Sequence, residues 1–270
     1  MLLIRDVARR VLWDTLSLMV DVDCPCGAPP PAPCPACRAL LASGPRRVEA
    51  RHPALEMVTG ADLDAPLGPV ELSVPLMPLV AATDYDDRTR ALVLAWKNGG
   101  RAALVDPLSA ALRPAWDRLL AETGRAGAVS PVIIPLPSTL RARLRRGEDH
   151  TAELARHLAR RTGARVQRPL RLHDRGQKGQ GVRGRSVRRL GMRPGWRPPA
   201  SGVVLLDDVA TTGASLRAAH RAVVEAGGVV HGALVLASAP GPSPGISRSG
   251  RGKMEIPRSP DRTVPSTSRR

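Results

Sequence analysis

Short apolar runs alternate with long polar stretches rich in proline and glycine, and the spacing of the apolar positions predicts where regular structure lies. Residues 1 to 20 scatter Arg5, Asp6, Arg9, Arg10 and Asp14 among apolar neighbours. That is the pattern of an amphipathic helix, not the unbroken core of a signal peptide. Residues 43 to 80 show no sustained period and read as a linker with one or two short strands, regular structure resuming near Tyr85. Helices are expected over Arg88 to Trp96 (Leu92, Val93 and Trp96 on one side), Ala102 to Leu120, Thr151 to Arg161 and Ser215 to Ala226. Three apolar runs bounded by turn formers read as buried strands: Pro131 to Pro137, Val203 to Leu206 and Val229 to Ala237. Strands separated by helices of this length imply an α/β fold with a parallel sheet and right-handed crossovers. Residues 171 to 197 are polar and rich in Gly and Arg, as a mobile loop would be, and residues 240 to 270 read as a disordered basic tail. The expected organisation is a helix and cysteine-bearing segment (1–42), the linker (43–80), one α/β domain (81–239) and the tail (240–270).

Composition adds a preference for polyanions. The formal charge is +17, and lysine occurs only at positions 97, 178 and 253, so arginine supplies nearly all of the excess. Nucleic acid, nucleotides and pyrophosphate all suit such a surface. With no Phe and one Tyr, Tyr85, base-stacking platforms are poorly supplied. No stretch approaches the roughly 18 uninterrupted apolar residues of a membrane span. A cytoplasmic protein is expected.

All four cysteines, Cys24, Cys26, Cys34 and Cys37, lie in one Pro- and Gly-rich segment. Such clustering suits a zinc site, the turn formers letting four sulfurs face one tetrahedral centre. The first pair is Cys-x-Cys, a tighter knuckle than Cys-x-x-Cys, so a metal-free remnant and a redox pair stay open beside zinc.

The richest stretch runs from Gly202 to Ser215, GVVLLDDVATTGAS. Four apolar residues deliver Asp207 and Asp208 to the carboxyl end of a strand, where ligands bind in open α/β sheets. A turn of small residues then opens a helix, whose unpaired N–H groups and partial positive charge suit a phosphate. Thr211, Thr212 and Ser215 add hydroxyl donors, and Gly213 lets the backbone approach closely. The carboxylates repel a phosphate but suit ribose hydroxyls or a metal-organised sugar. The alternative is structural, with Asp208, Thr212 or Ser215 merely capping the helix.

This stretch resembles the phosphoribosyl pyrophosphate (PRPP) motif of type I phosphoribosyltransferases. With CPCGAPPPAPCPACRAL, YDDRTRALVLAWKNGGR and VIIPLPSTLRARLRRGEDHTAELARHLA in the same order, the chain resembles the ComF/ComFC family over roughly residues 10 to 237. The resemblance implies a type I phosphoribosyltransferase-like parallel sheet flanked by helices, with a small N-terminal zinc-knuckle-like segment. It implies that Asp207 and Asp208 meet the ribose hydroxyls, and that Ala210, Thr211, Thr212, Gly213, Ala214 and Ser215 hold the 5′-phosphate. Lys97 and Arg101 would meet pyrophosphate, unless they form a solvated helix end. Arg145, Arg146 and His150 would line the entrance, although a solvated loop fits too and His150 can equally cap its helix. Gln177 and Arg185 fall in the family's variable loop, where Arg188 replaces a usual asparagine. Mg²⁺ accompanies PRPP, and zinc is structural. The implied reaction displaces pyrophosphate from C1 of PRPP by a nitrogen nucleophile. Thr211 stands where 6-oxopurine transferases carry an aspartate, which disfavours that acceptor class and leaves the general base unassigned. The alternative function is a non-catalytic competence factor that binds a nucleotide or phosphate and assists single-stranded DNA uptake together with the uptake machinery.

Overall fold

A computed structural model describes residues 23–62, 70–98, 101–137, 149–173 and 189–241. The expected N-terminal helix, the basic loop 141–146, Gln177, Arg185, Arg188 and the tail beyond 241 lie outside the described residues. The elements run α1 (Pro35–Leu41), β1 (Arg46–Arg47), β2 (Glu56–Asp62), β3 (Val70–Pro75), β4 (Leu79–Asp84), α2 (Asp87–Asn98), α3 (Val105–Glu122) and β5 (Val132–Pro135). There follow α4 (His150–Thr162), β6 (Leu170–His173), β7 (Arg189–Met192), β8 (Val203–Ala210), α5 (Ala214–Glu225) and β9 (Val230–Ser238).

One sheet, ordered β1-β4-β9-β8-β5, organises the chain. β4, β9, β8 and β5 are parallel and β1 is antiparallel on the edge. Side chains alternate across a strand, and here both faces are covered, so the strands read as continuous apolar runs. Val204, Leu206, Ile133, Leu234 and Val80 face α2, α3 and α4. Val203, Leu205, Ile134, Val235 and Leu79 face α5 and the segment around Leu55. The result is a mixed α/β architecture, mostly parallel, with helices on both faces and a cysteine cluster near the N-terminus. No described helix is long and apolar enough to cross a membrane.

The path from β5 back to β8 keeps one crossover hand. After α4 the chain adds Val166 as a parallel bridge to Ile133 at the outer edge. It then carries the β6–β7 hairpin over the α5 face, where Leu190, Met192 and Trp196 pack. Movement toward the β5 edge thus uses one face and the return uses the other, as right-handed crossovers require.

Three stretches hold more structure than their sequence suggests. β4 precedes Tyr85 and sits inside the sheet, yet it is six residues rich in alanine and fenced by Pro75 and Pro78. The ends of the expected 171–197 loop pair as β6 and β7. The segment 43–80 carries β1, the β2–β3 hairpin, the start of β4 and two short 3₁₀ turns, Glu49–Arg51 and Pro53–Leu55. Within it His52 and Leu55 are wholly buried, because their partners lie on the far end of the chain.

Leu55→Ala should cost about 2–5 kcal/mol, the usual range for emptying a buried leucine site. The midpoint of denaturant unfolding measures it. A change near zero would show that 53–55 is not integral to the core.

Candidate functional site

β8 carries Asp207 and Asp208 to the carboxyl end of the sheet, with Asp207 in register with Val235. Each carboxylate accepts from the next backbone N–H, Asp208 N to Asp207 Oδ1 at 2.8 Å and Val209 N to Asp208 Oδ1 at 2.7 Å. Asp208 Oδ2 forms an ion pair with Lys97 Nζ from the last turn of α2, both side chains being largely buried. Burial pushes the Asp207 carboxyl up to about 8, and the charge of Asp208 pushes the same way. The Asp208 N–H and Lys97 oppose the shift, while Asp149 adds to it. Near neutral pH the free protein therefore keeps a proton on Asp207.

The turn beyond the acid pair is built around peptide-plane geometry. Burial holds the His52 imidazole below its usual pKa, and therefore neutral. Its Nδ1–H donates to the Thr211 carbonyl at 2.8 Å, leaving Nε2 to accept from Ser238 Oγ at 3.0 Å. Ala54 N–H donates to the Thr212 carbonyl at 3.2 Å. In a trans peptide C=O and N–H point in opposite directions. Drawing these two carbonyls inward turns the N–H groups of Thr212 and Gly213 outward. Gly213 then sits at φ 80° as the N-cap of α5, without a side-chain cap on that helix. A Cβ there would lie 2.8 Å from Leu55 Cγ and 3.1 Å from His52 Cβ, so glycine is required by the brace as well as by φ. Arg217 Nη1 locks the same segment, donating to the carbonyls of Ala54 and Glu56 at 3.0 Å each.

Of the structural alternative for this turn, the described contacts leave only Thr212, whose Oγ1 accepts from Ala214 N at 3.3 Å, while Asp208 and Ser215 do not cap α5. Thr211, Thr212, Ala214 and Ser215 are exposed, whereas Ala210 is buried and its carbonyl accepts from Ala239 N. The exposed helix start carries the partial positive charge of the helix dipole.

Lys97 and Arg101 diverge. Lys97 meets the acid pair, while Arg101 Nη1 donates to the Asp23 carbonyl at 2.6 Å beside the cysteines. His150 caps nothing. Asp149 is the α4 N-cap, accepting from Ala152 N at 3.3 Å and pairing with Arg168 at 2.9 Å. The His150 ring packs edge-on against Trp96 with centroids 5.4 Å apart, and both its buried nitrogens have no hydrogen-bond partner among the described residues. His52 and Ser238 are the site residues that sequence reasoning missed. A lone histidine and a strand-terminal serine carry no local motif.

The four cysteines converge, their sulfurs all within 4.8 Å of one another. Cys24 and Cys37 are 3.7 Å apart and Cys26 and Cys34 are 3.6 Å apart. Four sulfurs at about 2.3 Å from one tetrahedral ion would be separated by about 3.8 Å, so the set fits a metal such as zinc. The Cys37 backbone N–H is the largest influence on Cys34 and brings its thiol down to about 7, toward the thiolate that a metal requires. Burial, by contrast, raises Cys37. Arg88 Nη1 lies 3.8 Å from Cys26 Sγ and offsets thiolate charge. The tight Cys-x-Cys pair closes because its two sulfurs reach to opposite partners across the knuckle.

No family model and no curated protein matches the chain. Among solved structures it is similar to an adenine phosphoribosyltransferase from Rhodothermus marinus, with 18% identity and a TM-score of 0.33 over 75% of this chain and 86% of that one. A superposition that loose carries no weight on the chemistry, which rests on the local geometry.

Because the folded pKa of Asp207 is raised, its contribution to stability is present at low pH and is lost as pH rises from about 4 toward about 8. Asp207→Asn keeps the acceptor oxygen and removes that titration. Its melting temperature relative to wild type should rise between pH 5 and pH 8, by on the order of 5 °C. A difference that stays flat with pH would contradict the buried-carboxyl assignment. For the cysteines, protein purified without added metal should carry one zinc per chain by elemental analysis, with four thiols protected from alkylation until a chelator is added. Metal-free protein with four reactive thiols would contradict the zinc assignment.

Proposed function

We propose that this chain is a ComF-type phosphoribosyltransferase-like protein that binds PRPP or a nucleotide through the β8–α5 turn. One observation carries the reading. The Thr211 and Thr212 carbonyls are fastened inward, so the N–H groups of Thr212 and Gly213 face outward at the start of α5, immediately after a half-buried acid pair. Such a turn suits a 5′-phosphate. The acid pair suits the ribose hydroxyls, since Asp207 can donate its proton or accept on Oδ2, the oxygen not engaged by the Asp208 N–H.

The matching reaction breaks the C1–O bond of PRPP, releases pyrophosphate and forms a C1–N bond to a nitrogen acceptor, whose proton leaves to solvent. Charge at C1 develops as in an oxocarbenium ion, so positioning and electrostatics supply the catalysis. The helix start fixes one end of the sugar phosphate and the acid pair fixes its hydroxyls, which together hold C1 in place. Lys97 offsets one carboxylate, so an anionic ligand does not meet two bare charges. Mg²⁺, when bound with PRPP, would neutralise the pyrophosphate leaving group.

Ser215→Glu separates this reading from a structural one. Residue 215 is exposed in the first turn of α5, where an acidic side chain stabilises a helix by about 0.3–1 kcal/mol. The melting temperature should hold or rise. Binding of PRPP with Mg²⁺, measured by calorimetry, should weaken by more than tenfold, as loss of one charge-assisted bond of about 1.5–3 kcal/mol implies. Unchanged affinity in the folded variant would sink the phosphate-turn assignment. Pyrophosphate release in the presence of individual nucleobases then identifies the acceptor, or shows that binding is not followed by transfer.

A further inference from the structure

Helix α2 touches both functional clusters of the molecule. Near its start Arg88 approaches Cys26 Sγ, and in its last turn Lys97 pairs with Asp208. Its buried face, Leu92, Val93 and Trp96, belongs to the same core cluster as Cys24, Cys34 and Cys37. Just beyond its end, Arg101 donates to the carbonyl of Asp23, the residue preceding the first cysteine. Trp96 Nε1 reaches Glu153 of α4 at 3.3 Å, which ties the same turn to the far side of the crevice.

The two halves of the cysteine cluster are anchored unequally. Cys34 is the N-cap of α1 and Cys37 lies within that helix, on the core. The stretch 23–28 that supplies Cys24 and Cys26 is a turn held by two backbone hydrogen bonds, Gly27 N to Cys24 O and Cys24 N to Ala28 O. Among the described residues it is further attached by its sulfurs, one of which accepts from Cys34 N at 3.4 Å, by packing of Cys24 and Ala28 on the core, by the Arg88 contact and by the Arg101 bond. A metal on the four sulfurs would fix this turn to α1, and only a fixed turn offers Arg101 a fixed acceptor.

We propose that the cysteine centre, through Arg101 and the end of α2, positions Lys97 against Asp208, so that metal loading and anion binding at the β8–α5 turn are energetically coupled. Arg101 is then a positioning residue, acting through Lys97 rather than on the ligand. Metal loss frees the 23–28 turn and removes the anchor beyond Asn98. Lys97 spends less time at Asp208, and an incoming phosphate faces a more negative crevice. The binding half of this inference rests on the phosphate-site reading above. The positional half does not.

The full chain is compared loaded and after chelation, as wild type and as Arg101→Ala, with two readouts. Amide hydrogen exchange without ligand should speed up in the last turn of α2 on chelation, while β8 and β9 stay protected. Affinity for PRPP with Mg²⁺ should fall about tenfold on chelation of wild type, within the 5–150-fold range of coupled sites. Loaded Arg101→Ala, with its metal content intact, should already show both changes, and chelation should add little. Several results overturn the proposal: no stoichiometric metal, unchanged exchange in α2, or Arg101→Ala that keeps the full metal dependence of wild type. The last would mean that the cysteine centre acts on the site by a route other than Arg101. If loaded wild type fails to bind PRPP at all, the phosphate-site reading falls and exchange alone decides the coupling. If chelation unfolds the chain, the exchange of loaded Arg101→Ala decides it.

Discussion

The inward fastening of the Thr211 and Thr212 carbonyls is the constraint on which the site depends. A helix N-terminus alone is a weak anion site, because its N–H groups can be satisfied by water or by a cap. Here the peptide planes are set by two donors from a distant segment, His52 and Ala54. The brace needs a neutral imidazole with its proton on Nδ1, and burial supplies that state by penalising the cation. It also needs glycine at 213, since any side chain would strike Leu55 or His52. The segment between β1 and β2 is therefore a structural part of the β8–α5 turn. A loss of packing around Leu55 would reach the N–H groups through two hydrogen bonds and no intervening helix.

Charge at the end of β8 is arranged by pairing, and the partial positive charge of the α5 start follows the carboxylates along the chain. Two adjacent carboxyls at a buried strand end cannot both ionise cheaply. One is paired with Lys97, the other keeps its proton, and each spends one oxygen on a backbone N–H. The pair thus sits at the strand end with a single negative charge, and that charge is matched by Lys97.

What the sequence disclosed was local. The run VVLL, the acid pair and the small-residue turn each announce themselves within fourteen residues, and strand, turn and helix form where they were expected. The cysteine cluster was legible for the same reason, its four cysteines lying within one short segment. What stayed hidden was non-local. His52 and Thr211 are 159 positions apart, and no pattern around His52 marks it as a brace. β4 was missed because its six residues, LVAATD, show no alternation and follow closely on Pro75 and Pro78. The divergence of Lys97 and Arg101 also escaped. At a spacing of four they would share a helix face, but α2 runs to Asn98 and the Arg101 side chain donates to the Asp23 carbonyl beside the cysteines.

Lysine at position 97 follows from the oxygens that are free to receive it. In a chain with 41 Lys and Arg residues, only Lys97, Lys178 and Lys253 are lysines, and Lys97 alone lies among the described residues. A guanidinium is a planar fork that gains most when two acceptor oxygens face it together. Asp208 offers one, because its Oδ1 already accepts from Val209 N–H. Asp207 Oδ1 is similarly taken by Asp208 N–H. A compact ammonium satisfies that single Asp208 oxygen in a narrow space. The arginine that follows has the opposite task, spanning from the end of α2 to a backbone carbonyl at the edge of the knuckle, where length and directed N–H groups serve it better. The two cations near this helix end thus differ in kind because one must fit inside the acid pair and the other must reach away from it.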